Sequence, residues 1–178
     1  MPVNDDALHD VLIGGLEPGR ITLAEYDLRW PDKFALERKR IAAAIGSAAI
    51  LIEHIGSTSV PGLAAKPVID ILVTVRNVEI VDDYRDAMET AGYTLRVREA
   101  GHCMFRTGSR DVHVHFWCSG CEEETRHLKF RDRLRENADD RKLYERTKRE
   151  LAKVFWRDSN YYAEAKRSVI EFILAQTV

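Results

Sequence analysis

Residues 68–75 read VIDILVTV, and no other stretch constrains the fold as tightly. A run of β-branched and aliphatic residues this continuous belongs to a strand covered on both faces, because a half-exposed strand would alternate. The chain must therefore build a sheet with cover on either side. Asp70 interrupts the run, and a carboxylate in an apolar strand is costly unless it is paired or binds a metal. At 178 residues, the chain can cover such a sheet within one domain and has little room for a second.

The flanking text supplies the cover. Residues 32–49 carry Phe34, Ile41 and Ile45 near helical spacing, with Pro31 in the first turn and Gly46 near the end. Residues 50–55 read as a strand and 78–91 as a helix stopped by Gly92. Residues 93–97, 102–107 and 111–117 are further strand candidates, the last two joined by a Gly108-Ser109 turn. From Cys121 the period turns helical: Leu128, Leu134, Leu143, Leu151, Phe155, Val169 and Phe172 predict two or three helices up to Val178. The first twenty residues end in GGLEPGR and read as a loose arm or short helix, which leaves 21–178 as the domain. The expected class is α+β (α/β), a mixed sheet with flanking helices and a helical C-terminal part.

Composition narrows the function. Lys and Arg total 27 against 29 Asp and Glu, a formal net charge of -2, so nucleic acid is not an expected partner. No run of about eighteen apolar residues is present, so no membrane association through a spanning helix is expected. The N-terminal text MPVNDDALHDVLIGG lacks a basic region followed by an apolar one. Cys103, Cys118 and Cys121 are too few for a disulfide framework, and the cytoplasm is the expected compartment.

The stretch from Glu53 to Asp70 carries the most chemistry. A strand enters Gly56-Ser57, a small-residue loop follows, and Lys66-Pro67 leads into the strand of Asp70. Gly56 lets backbone approach a ligand closely, and the hydroxyls of Ser57, Thr58 and Ser59 with Lys66 suit phosphate oxygens. The loop is neither a Walker A sequence nor a dinucleotide fingerprint. Asp111, His113 and His115 alternate, which places them on one face of a strand. Asp70, His113 and His115 can then meet across neighbouring strands, with His54 close by. Imidazole with carboxylate suits Zn²⁺, Mn²⁺ or Fe²⁺ better than Mg²⁺. The competing reading is a pair of half-buried histidines bonded to loops. Cys118-Ser-Gly-Cys121 is read as an ordinary turn. In ETRHLKFRDRLRE, His127, Arg131 and Arg135 share a helical face that suits a polyanion or, alternatively, forms a solvated row paired with nearby acids. Tyr161, Tyr162 and Lys166 are candidates to close the same pocket.

The stretch EHIGSTSVPGLAAKPVIDILV is very similar to the signature of the GrpB-like family, a mostly uncharacterised branch of the nucleotidyltransferase-fold superfamily. The resemblance continues in Tyr26-Asp27, Trp30-Pro31, HVHFW at 113–117, RHLKFRDRLR at 126–135 and residues 161–166. It implies a nucleotidyltransferase-like mixed sheet. Active members of that superfamily carry a Gly-Ser pair, then two carboxylates at alternating strand positions and a third on a later strand. Here Gly56-Ser57 and Asp70 match, whereas Leu72 stands where the second carboxylate is sought; the lone Asp is usual in the GrpB-like pattern. The expected function is metal-assisted nucleotidyl transfer from a nucleoside triphosphate to a small-molecule acceptor. Asp70, His113 and His115 would be catalytic and hold a divalent metal (Mn, Zn, Fe or Mg). Gly56, Ser57, Thr58, Ser59, Lys66, His127, Arg131, Arg135 and Lys166 would bind substrate or phosphate. The alternatives are a catalytically silent nucleotide- or anion-binding module of the same fold, favoured by Leu72, and an enzyme of ligation or hydrolysis that uses the histidine strand.

Overall fold

The computed structural model describes residues 4–176; residues 1–3 of the expected arm and 177–178 of the helical part lie outside the described residues. Five strands form one mixed sheet: β2 (Leu51–Ile55), β3 (Ile69–Val75), β4 (Tyr93–Glu99), β5 (His102–Thr107) and β6 (Val112–Cys118), in the order β2-β3-β6-β5-β4. The β3–β6 pair is parallel and the others antiparallel. The VIDILVTV strand is internal, between β2 and β6, as its apolar run requires. A second, two-stranded ribbon pairs β1 (Gly19–Arg20) with β7 (Phe155–Trp156).

One sheet face is apolar apart from the buried His54. Ile69, Ile71, Val73, Val112, Val114, Phe116 and Phe105 pack there under α2 (Trp30–Ile45) and α3 (Asp82–Thr90). The expected 32–49 helix stops at Ile45, because Gly46 turns to φ 51° and a short 3₁₀ turn follows. The expected 78–91 helix is split: Asn77 caps a 3₁₀ turn at Val78–Ile80, and α3 starts afterwards.

The opposite face carries Asp70, Leu72, His113, His115 and Trp117. Four helices supply its side: α4 (Glu122–Glu136), α5 (Ala138–Leu151), α6 (Ser159–Ala165) and α7 (Arg167–Leu174), where two or three were expected. The side chain of Asn137 accepts from Asp139 and Asp140 N–H groups, so a new helix begins where a longer one would have run on. Leu134, Tyr144, Val169 and Ile173 join the helices to Val60 and Leu63 of the loop after β2. At the N-terminus a short helix forms, α1 (Asp5–Val11), and it is docked: Leu8 and Leu12 bury against Val97 and Met104.

Candidate functional site

Between the polar sheet face and the C-terminal helices lies a cavity of about 350 Å³. The parallel β3–β6 register sets Asp70 beside His113 and Leu72 beside His115. Asp70 Oδ1 lies 3.4 Å from His113 Nδ1 and 3.7 Å from His115 Nε2. These gaps exceed a good N–H···O distance. The three ligand atoms lie within 4.8 Å of one another, close to the span of donors held at about 2.0–2.2 Å by one divalent ion. An N₂O donor set on rigid strands fits a first-row transition ion. Burial pushes the His115 pKa down to about 4 even though Asp70 pulls the other way, so the imidazole offers a lone pair at neutral pH. Burial pushes the Asp70 carboxyl up, but the two histidines outweigh it and hold the group below the usual carboxylate range, ionised.

The loop arrives beside this cluster. Gly56 has φ 68° and ψ -176°, a region only glycine occupies freely, and a Cβ there would stand 2.5 Å from Asp70 Oδ2. Ser57 follows, facing the cavity. Its Oγ accepts from Nζ of Lys148 at 3.0 Å, and Lys148 also donates to the Ala64 carbonyl. Lys148 is 2% exposed. Desolvation pushes its pKa down to about 7. Lys66 and Lys166 line the same cavity, the latter 4.5 Å over the Tyr162 ring. Among the described residues no carboxylate forms an ion pair with Lys66, Lys148 or Lys166. Tyr162 also lines the cavity, and its hydroxyl is buried with no hydrogen-bond partner among the described residues.

His127 lines the cavity from α4, its ring 4.9 Å from that of Trp117. Arg131 lines it too, but its charge is already engaged by Glu53 at 2.7 Å and Asp132 at 2.7 Å, and it donates to the His54 carbonyl at 3.1 Å.

The remaining expected residues point elsewhere. Thr58 Oγ1 donates to the Val68 carbonyl at 3.0 Å, and Ser59 Oγ donates to the Gly56 carbonyl at 2.6 Å. Both hydroxyls thus satisfy loop backbone rather than the cavity. Arg135 shares the α4 face but reaches the Ser59 carbonyl through Nε at 3.0 Å and Nη2 at 2.9 Å, outside the cavity. His54 lies on the other sheet face, stacked on Phe34 at 4.8 Å and bonded to Thr58, because β2 pairs it with Ile71. Asp111 stands just before β6 and is held by Lys33 at 2.5 Å and by Thr107 at 2.8 Å. Tyr161 turns to Asp5 of α1. Cys121 caps α4 through Sγ, and Cys118 accepts from the Val78 N–H, so the pair is the ordinary turn that was expected.

Sequence reasoning missed Lys148 and Tyr144, which line the cavity, and Glu99 and His102, which stand behind His115. Tyr144 and Lys148 are four apart in YERTK and share one helical face. That spacing was a usable signal. His102 gave none, because its place depends on strand pairing.

Fold and site together define an α+β protein whose mixed sheet presents a carboxylate–imidazole cluster and a serine loop to one cavity that lysines also line. The family model for the GrpB protein matches residues 20–176. A UPF0157 protein of Streptomyces coelicolor is 52% identical over 159 residues, covering 89% of this chain and 85% of the relative. A UPF0157 protein of Halalkalibacterium halodurans is 45% identical over 178 residues, covering 97% and 91%. The crystal structure of the conserved protein GrpB from Enterococcus faecalis superposes with a TM-score of 0.73 at 33% identity, covering 87% of this chain and 96% of that one. The chain belongs to the GrpB family. No helix among the described residues is long and apolar enough to cross a membrane.

Proposed function

We propose that the chain is a nucleotidyltransferase that moves a nucleotidyl group from a nucleoside triphosphate to a small-molecule acceptor in the cytoplasm, with a divalent ion at Asp70, His113 and His115. The observation that carries this reading is the set of lysines that form no ion pair among the described residues, Lys66, Lys148 and Lys166, on the same cavity as Ser57 and that cluster. Burying an ammonium without an ion-pair partner is costly, and Lys148 is nearly inaccessible. A polyphosphate entering beside Ser57 would supply the missing charge to Lys148, Lys166 and Lys66. A divalent ion, when bound, neutralises phosphoryl charge and activates the attacking oxygen. Within the chain, the Ser57 hydroxyl and the lysines bind and orient the phosphates, while Ile55, Val68, Phe130 and Ile170 exclude water.

A second reading has its own support. Leu72 is fully buried between Ile55 and Trp117, where active relatives of the superfamily pattern carry a second carboxylate. A silent nucleotide-binding module of the same fold follows if one carboxylate is too little for turnover. Calorimetry with ATP, GTP, CTP and UTP in Mn²⁺ or Mg²⁺, paired with a pyrophosphate-release assay, separates the two. Binding by at least one nucleotide, weakened by Ser57→Ala and Lys66→Ala, is expected. No heat and no thermal shift with any of the four would remove both readings.

A further inference from the structure

His115 has a support on a different strand pair. His102 opens β5 diagonal to His115, whose cross-strand partner is Met104, and its Nε2 lies 3.1 Å from His115 Nδ1. On its other side, His102 Nδ1 lies 2.8 Å from Oε1 of Glu99, the residue that pairs with it across the β4–β5 hairpin. The direction of this chain of bonds is set at its outer end. An ionised carboxylate only accepts, so His102 directs its Nδ1–H to Glu99. In neutral His102 the Nε2 lone pair then accepts from Nδ1–H of His115. That leaves His115 with a lone pair on Nε2, the atom that faces Asp70. At 3.7 Å, Asp70 is too far to claim a proton there by a direct hydrogen bond. Packing holds the arrangement: the His102 ring lies 4.5 Å from Trp117 at 19°, and Trp117 stacks on His115 at 5.3 Å.

We infer that Glu99 and His102 are positioning residues, which fix His115 in the tautomer and ring orientation that present Nε2 to a divalent cation shared with Asp70 and His113. The inference rests on the metal-centre reading proposed above. It extends that site outward to the hairpin, as hydrogen-bonded carboxylates commonly orient ligating imidazoles.

Zn²⁺ and Co²⁺ titration of the full chain tests it, with affinity and the Co²⁺ absorption spectrum as readouts. His102→Phe keeps the stacking on Trp117 and removes the acceptor. It is expected to weaken Zn²⁺ by roughly 10–100-fold and to alter the Co²⁺ spectrum. Glu99 is half-exposed, so Glu99→Ala can be read even if the His102 variant does not fold. It is expected to weaken binding in the same direction, and Glu99→Gln, whose amide oxygen still accepts, to recover most of the loss. Wild-type affinity within twofold in both His102→Phe and Glu99→Ala, alongside loss of binding in Asp70→Ala, overturns the positioning role and leaves the metal centre standing. No Zn²⁺ or Co²⁺ binding by the wild type, or binding unaffected by Asp70→Ala, overturns the metal centre and the positioning role with it.

Discussion

At the scale of single residues, the site is built on contacts that tolerate little change. Gly56 occupies backbone space closed to other residues and lies against the Asp70 carboxylate. Gly56→Ala is expected to cost about 1–3 kcal/mol through backbone strain and to push Asp70 off its place beside the histidines. Urea unfolding reads the first effect, and Zn²⁺ titration reads the second; unchanged metal affinity would separate the loop from the cluster. Lys148 gives a pH signature. The unfolded chain holds this proton to about pH 10.5, the folded one only to about 7. Between those values the unfolded state binds more protons, so this group's contribution to stability improves as pH rises from 7 towards 10.5, and its full penalty stands below 7. Lys148→Met is therefore expected to flatten the stability slope over that window in urea denaturation. A bound anion reverses the shift, so nucleotide binding at pH 8 should take up close to one proton, measured by calorimetry in buffers of different ionisation enthalpy. Alternation made His113 and His115 legible in the sequence, and the broken apolar run exposed Asp70. Lys148 was not legible as a site residue, because its desolvation arises from α5 packing onto the loop, a long-range fact.

Secondary-structure elements divide the arginines and hydroxyls that looked alike in the sequence. Helical spacing correctly put His127, Arg131 and Arg135 on one face of α4, but spacing does not say how far along the face the cavity extends. Arg135 passes its end and ties α4 to the Ser59 carbonyl by two bonds. Arg135→Ala is expected to lower stability by about 1–2 kcal/mol while leaving nucleotide affinity within twofold of wild type. Lys66→Ala, which removes a cation from the cavity and no hydrogen bond within the fold, is expected to do the opposite: roughly tenfold weaker binding, about 1.4 kcal/mol, with unfolding unchanged. Urea midpoints and calorimetric affinities for the two variants form the test. Equal losses of affinity would return Arg135 to the phosphate site. The same limit applies to Thr58 and Ser59. A polar loop announces hydroxyls, yet the turn itself consumes two of them, since tight backbone must satisfy its carbonyls locally. Helix ends were read less well than helix faces, because a cap such as Asn137 outweighs a continuing apolar stripe only where the next helix has something to pack against.

For the whole molecule, the class could be read from one strand: a doubly covered apolar run demands a sheet between layers, and the chain supplies α2 and α3 on one side and α4 to α7 on the other. The full strand order was not legible, since it follows from tertiary packing, although the sequence reading set Asp70 and the two histidines on neighbouring strands, as β3 and β6 are. That pairing decides the chemistry. It sets two imidazoles, not a second carboxylate, next to Asp70, while Leu72 is committed to the core. The resulting site has lower negative charge than a paired-carboxylate one, so it should hold hard, strongly hydrated Mg²⁺ poorly and borderline ions better. Turnover, where it occurs, is expected with Mn²⁺, Zn²⁺ or Fe²⁺ in preference to Mg²⁺. Asp70→Asn and His113→Ala are expected to abolish it while the fold persists, because both residues face the cavity and neither fills the apolar core. Metal analysis of the purified protein, followed by pyrophosphate release with each ion, measures this. Release with Mg²⁺ alone, undiminished by His113→Ala, would remove the imidazoles from the reaction. Firm nucleotide binding without release under any ion would make the buried Leu72 the decisive residue and the protein a binding module.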